Sequence, residues 1–209
     1  MKTNQKKGFT LVELMIVITI IGVLVALLTP MVQSAQRSAL KTTTKVLLTD
    51  MCTALERYRD EYGYFPSFLT ARERTNLDDG SYSENMVKTL TGADPTGSQL
   101  SPSDRREFNR KARRFMEFTQ DNLVQKGGNK WKIVDSFGNP NIYFCVDGDG
   151  DGFIKQGFPT VTDGINSADL RELVPNQQTG LRARAIAFTL KKDSKSAAAD
   201  FSSEDVFSW

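Results

Sequence analysis

In Cys145-Val146-Asp147-Gly148-Asp149-Gly150-Asp151-Gly152-Phe153, three carboxylates stand at alternate positions and a glycine follows the third. Alternation in a tight loop turns oxygens toward one centre, the arrangement that a hard cation such as calcium requires. Gly152 permits the sharp turn, and the Phe153 carbonyl can add a ligand. An EF-hand would place Glu at the twelfth loop position, where this chain has Phe158, and no flanking helices are legible. The expectation is a calcium loop outside the EF-hand class, with Asp147, Asp149, Asp151 and the Phe153 carbonyl as ligands, completed by Asp163 or water. A solvated Asp/Gly hairpin turn is the alternative.

The second residue out of place is Glu13. It heads a run from Leu14 to Gln36 that holds no charge, and roughly 20 apolar residues suffice to span a bilayer. A carboxylate inside hydrocarbon costs on the order of 3 kcal/mol, so its default reading is functional, with a partner. Neither a cleaved secretory signal nor a plain anchor accounts for it. Lys2, Lys6 and Lys7 precede the run, which orients the N-terminus to the cytoplasm and sends the remainder across.

Other chemistry is excluded more simply. The chain has no histidine, which removes histidine triads and the commonest general base and zinc ligand together. No nucleophile motif is visible, so no enzymatic activity is expected. The net charge of +2 includes the three leading lysines, so no nucleic-acid partner is implied. Cys52 and Cys145 could form one bridge in an oxidising compartment, or stay as two core thiols, the preferred reading.

These residues need elements to position them. Beyond Gln36 the helix pattern turns amphipathic: Val46, Leu47, Met51, Ala54, Leu55, Tyr58 and Tyr62 mark one apolar face, ending near Gly63 with Pro66 following. Residues 67–130 are rich in turn formers around one legible helix. That helix begins at Ser101-Pro102, carries Phe108, Ala112, Phe115, Met116 and Thr119 as a stripe, and shows Arg105, Arg106, Arg110, Lys111, Arg113 and Arg114 on its other face. The basic face is either a docking surface for acidic neighbours or anionic headgroups, or a solvated surface answered by Asp104, Glu107 and Glu117. From Trp131 onward, Ile133-Val134, Ile142–Val146 and Ala185–Leu190 read as strands of a small antiparallel sheet packed on the amphipathic helix. A helix followed by strands is an α+β layout.

The leader Lys6-Lys7-Gly8-Phe9-Thr10-Leu11-Val12-Glu13 resembles the class III junction of type IV pilins and type II secretion pseudopilins. That resemblance implies cleavage after Gly8 by a prepilin peptidase and N-methylation of Phe9. It also gives Glu13 a partner, the new amine of a neighbouring subunit, so that both charges lose their burial penalty on assembly. Pro30 matches the proline where the family's filament helix can extend, and a kink or melted segment is expected just before it; a proline simply tolerated in a membrane helix is the alternative.

Three further stretches point to the major, G-type secretion pseudopilins. They are the tyrosine exit Ala54-Leu55-Glu56-Arg57-Tyr58 to Pro66, the lead-in Asp135-Ser136-Phe137-Gly138-Asn139-Pro140, and the Ser208-Trp209 ending. Carried over by position, the Leu190 carbonyl, Asp193 and Asp205 would form a second calcium site, although Lys191 and Ser194 stand where the family has glycines. The implied organisation is a leader at 1–8, an N-terminal helix at 9–63 (9–36 membrane and assembly, 37–63 amphipathic) and a periplasmic pilin-like domain at 64–209. The implied role is an inner-membrane, single-pass subunit of a homopolymer, working with minor pseudopilins, the peptidase and the inner-membrane secretion platform to export folded proteins. A type IV pilin and a membrane-anchored, calcium-dependent binding module are the alternatives.

Overall fold

The computed structural model describes residue 9 and residues 11–70, 74–79, 81–126, 130–158, 179–190 and 205–209. Contacts group the chain into Met1–Leu40 and Lys41–Trp209, a division that falls inside the first helix. Helix α1 runs Leu11–Tyr62 and contains Pro30. The helix is unbroken at this proline, so no melted segment precedes it. One proline costs a single backbone bond, and inside an apolar helix such losses are absorbed locally. Thr19 and Thr29 each donate their hydroxyl to the carbonyl four residues back, at 2.7 and 2.8 Å, which satisfies both within the helix.

Within the second unit, α1 buries Leu47, Leu48, Met51, Cys52, Ala54, Leu55 and Tyr58, a stripe at helical spacing. Val46, expected on that face, is instead 53% exposed, because the stripe is centred on the Leu48–Leu55 line. Full burial of a leucine such as Leu48 or Leu55 stabilises by about 1.5–3 kcal/mol. The helix stops where Gly63 takes φ 83° and donates its N–H to the Arg59 carbonyl, a left-handed ending that glycine accepts without strain.

The remaining elements are α2 (Ser67–Thr70), β1 (Thr75–Asn76), α3 (Tyr82–Thr91), α4 (Pro102–Glu107), β2 (Leu123–Lys126), β3 (Lys130–Ile133), β4 (Ile142–Val146), β5 (Ala185–Thr189) and β6 (Val206–Phe207). Strands β1, β4, β5 and β6 lie side by side in that order, all antiparallel. The fold is therefore α+β, a long helix against a small antiparallel sheet. Ile142, Phe144, Ala185, Ala187 and Val206 join the α1 stripe in one core. Tyr143, Cys145, Ile186 and Phe188 face the other way and gather Ile154, Leu190, Phe207 and Trp209. Both sheet faces are covered, which is why β4 and β5 read as near-continuous apolar runs without alternation.

Two expectations need correction. The strand at Ile133 pairs with β2 in a separate two-stranded ribbon, not with the main sheet. The basic helix is also much shorter than its apolar stripe implied: α4 ends at Glu107, and Ala112 turns back with φ 48°. The cause is Asn109. Its buried amide donates to the carbonyls of Thr89 and Arg113, and its oxygen accepts from Arg113 N–H and the Tyr62 hydroxyl. A side chain that satisfies backbone groups this way competes directly with helix. The N-cap itself is as read: Ser101 accepts from Asp104 N–H at 3.1 Å, with Pro102 in the first turn.

The cysteines are free, and they sit on opposite sides of the sheet. Burial pushes each thiol up to about 12, so both behave as core hydrophobes.

Candidate functional site

From Leu11 to Leu40 every side chain is exposed, including Leu11 at 74% and Leu28 at 56%. So large a naked apolar surface is stable only against lipid or other protein. Among the described residues this is the one helix long and apolar enough to cross a membrane. Glu13 lies in its first turn, where the helix dipole favours a negative charge. Phe9 is exposed, and Gly8 lies outside the described residues.

In the second unit the loop after β4 brings Asp147, Asp149 and Asp151 together. One carboxylate oxygen of each lies within 4.8 Å of the others. Ligand oxygens at 2.3–2.6 Å around calcium are separated by no more than about twice that radius, so this donor set fits a hard cation. Asp147 is buried and accepts from Gly150 N–H at 2.7 Å and Gly152 N–H at 3.0 Å. Burial alone would raise its pKa, but those two N–H groups and Arg59 overcome it and hold the carboxyl below its ordinary value. Gly150 and Gly152 take φ 81° and 86°, which is what lets the turn fold back on Asp147.

Two cations that the spacing did not reveal share this site. Arg59 of α1 places its guanidinium 3.5 Å from Asp147 and stacks over Phe65. Lys155 pairs with Asp151 and reaches Asp149 at 3.9 Å, and its bond to Asp151 lowers that carboxyl below the usual range. The position of Lys155, four residues after Asp151, was the available signal. Phe153 donates its N–H to Asp151 at 2.9 Å, and Asp163 lies outside the described residues.

At the other end of the sheet, Thr189 pairs with Val206. Continuing that register sets Leu190 opposite Asp205, so two of the three residues expected at the second calcium site adjoin. The Leu190 carbonyl accepts from the Asn139 amide at 3.2 Å. Asp193 lies outside the described residues. Trp209 packs against Phe188, Phe207 and Phe158 at 5.1–6.5 Å between ring centres, and its carbonyl accepts from Lys45 at 3.4 Å. The C-terminus is thereby tied to the sheet and to α1.

A family model described as the prokaryotic N-terminal methylation motif matches residues 3–29. Over 67 residues the chain is 37% identical to type II secretion system core protein G of Pseudomonas aeruginosa. The chain is similar to a secretion protein over that stretch. The match covers 32% of it, and the chain spans 47% of that relative's length. No solved structure matches. The exposed apolar α1 segment suits a membrane-anchored chain.

Proposed function

We propose that the chain is a subunit of a type II secretion pseudopilus, cleaved after Gly8, methylated on Phe9, and polymerised through α1. The observation that carries this reading is the leader junction from Lys6 to Glu13 inside the matched methylation motif. In the array, Glu13 of one copy neutralises the Phe9 amine of the next, while the apolar surface between them is buried against neighbouring helices. The helix holds each copy in the inner membrane with its C-terminal part in the periplasm. Growth of the filament beside minor pseudopilins and on an inner-membrane platform drives folded proteins outward. The likeness to a secretion protein and the Gly138-Asn139-Pro140 lead-in favour this branch over adhesive pilins. Replacing Glu13 by Leu tests it. The substituted chain should still insert and be processed, yet form no filaments and restore no secretion. Normal filaments would refute the assembly role.

We also propose calcium as a structural cofactor. Asp147, Asp149, Asp151 and the Phe153 carbonyl would hold it in the first loop, Asp163 or water completing the set. The Leu190 carbonyl, Asp193 and Asp205 would hold it in the second. Bound there, the ion supplies positive charge that Lys155 now provides to Asp149 and Asp151. A ligand that binds only the folded state stabilises by about 2.7 kcal/mol at a hundredfold excess over Kd. Thermal melting with calcium and with chelator reads this directly. Loss of the shift in Asp149→Ala or in Asp205→Ala assigns the loop, and equal melting curves refute the cofactor.

A further inference from the structure

The region between α3 and β2 holds a positive surface that the subunit reading leaves unused. Six cations and two carboxylates stand between Ser101 and Met116. Three of these cations are answered locally, Lys111 and Arg113 by Glu61 and Arg114 by Glu117 at 3.4 Å, while Asp104 is held by Lys88 of α3 at 3.2 Å. Arg105, Arg106 and Arg110 are exposed, and they have no carboxylate partner among the described residues.

The backbone carrying them is fixed. Tyr58 donates its hydroxyl to the Phe108 carbonyl at 2.9 Å, and Lys111 N–H donates to Tyr62 at 3.0 Å. The buried Asn109 between them closes the turn with four bonds. Arginines on a rigid frame lose little backbone freedom on docking, and their planar forks suit paired recognition of carboxylates.

We infer that the face formed by Arg105, Arg106 and Arg110 docks on the acidic surface of a second copy of this chain. The inference rests on the filament reading above. The whole chain carries only +2, so the sequence outside this segment and the leader lysines is net acidic. A basic patch meeting an acidic patch elsewhere on an identical molecule is a heterologous contact, the kind that propagates into filaments. Asp50 and Asp121 are exposed carboxylates with no ion pair among the described residues, and they are available as counterparts. Anionic headgroups are the competing occupant, and the test below separates the two.

The test uses the full chain in its native membrane, with a photo-reactive residue at Ser103 beside the patch and, separately, at Val17 in α1. Both positions should give ladders made of this chain alone. Combining Arg105→Glu, Arg106→Glu and Arg110→Glu should cut the Ser103 ladder about tenfold or more through like-charge repulsion. The same changes should leave the Val17 ladder and the melting temperature in place. Adducts at Ser103 with lipid or another protein, or a ladder indifferent to charge reversal, would overturn the inference while an intact Val17 ladder keeps the filament reading. Loss of the Val17 ladder in the unsubstituted chain would overturn both.

Discussion

Asn109 is fully buried and serves four hydrogen bonds at 2.7 to 3.0 Å, to Thr89, Arg113 twice and Tyr62. In Asn109→Ala all four are lost, and the Thr89 carbonyl is left in a buried position. At a net value of about 1 kcal/mol per bond, with a larger penalty for a stranded buried group, the loss should be roughly 3–5 kcal/mol. For a unit of this size that corresponds to a fall of about 10 °C in Tm. Thermal melting and urea unfolding of the full chain in detergent micelles provide the assay. Tyr62→Phe removes one of the four bonds and the Lys111 contact, and should cost about 1–2 kcal/mol. Because the two residues share a bond, the double substitution should be less damaging than the sum of the singles. A loss below about 1 kcal/mol for Asn109→Ala would mean that water replaces the amide, and that Asn109 does not set the turn.

Other expectations concern positions in the same unit. Gly92 caps α3 at φ 69°, and a Cβ there would lie 2.8 Å from the Ala112 carbonyl group; Gly92→Ala should cost about 2 kcal/mol or more in urea unfolding. Asp147 has its folded pKa depressed, so its contribution is present above the ordinary carboxylate range and is lost as pH falls through the folded value. Asp147→Asn should therefore lower stability at pH 7 by about 1–3 kcal/mol and flatten the acid limb below about pH 4. An unchanged acid limb would contradict the assignment. Cys52 and Cys145 should resist thiol reagents at pH 8 in the folded chain, and reductant should leave Tm unmoved; prompt labelling would contradict their burial.

The long-range architecture was readable because its signals are periodic. The α1 stripe, the apolar runs of β4 and β5 and the Gly63 stop each follow from spacing or from one residue type. Strands β1 and β6 were not readable, since each is two residues long and exists only through its partner. Helix α3 was missed for a related reason: Met86, Val87 and Leu90 make too short a stripe to stand out between turn formers. The Phe108–Thr119 stripe misled because a single buried asparagine outweighed a helical pattern, and no spacing rule carries two of Asn109's partners, Tyr62 of α1 and Thr89 of α3. At the acidic loop the three carboxylates were evident from alternation. Arg59 was hidden because it comes from an element nearly ninety positions earlier.

The most direct measurement is the intact mass of the mature N-terminal peptide after expression in a host that supplies a prepilin peptidase. The expected species begins at Phe9, lacks Met1–Gly8 and is one methyl group heavier than the bare sequence. A chain retaining its leader, or cut instead near Ser34, would contradict the pseudopilin reading at its root.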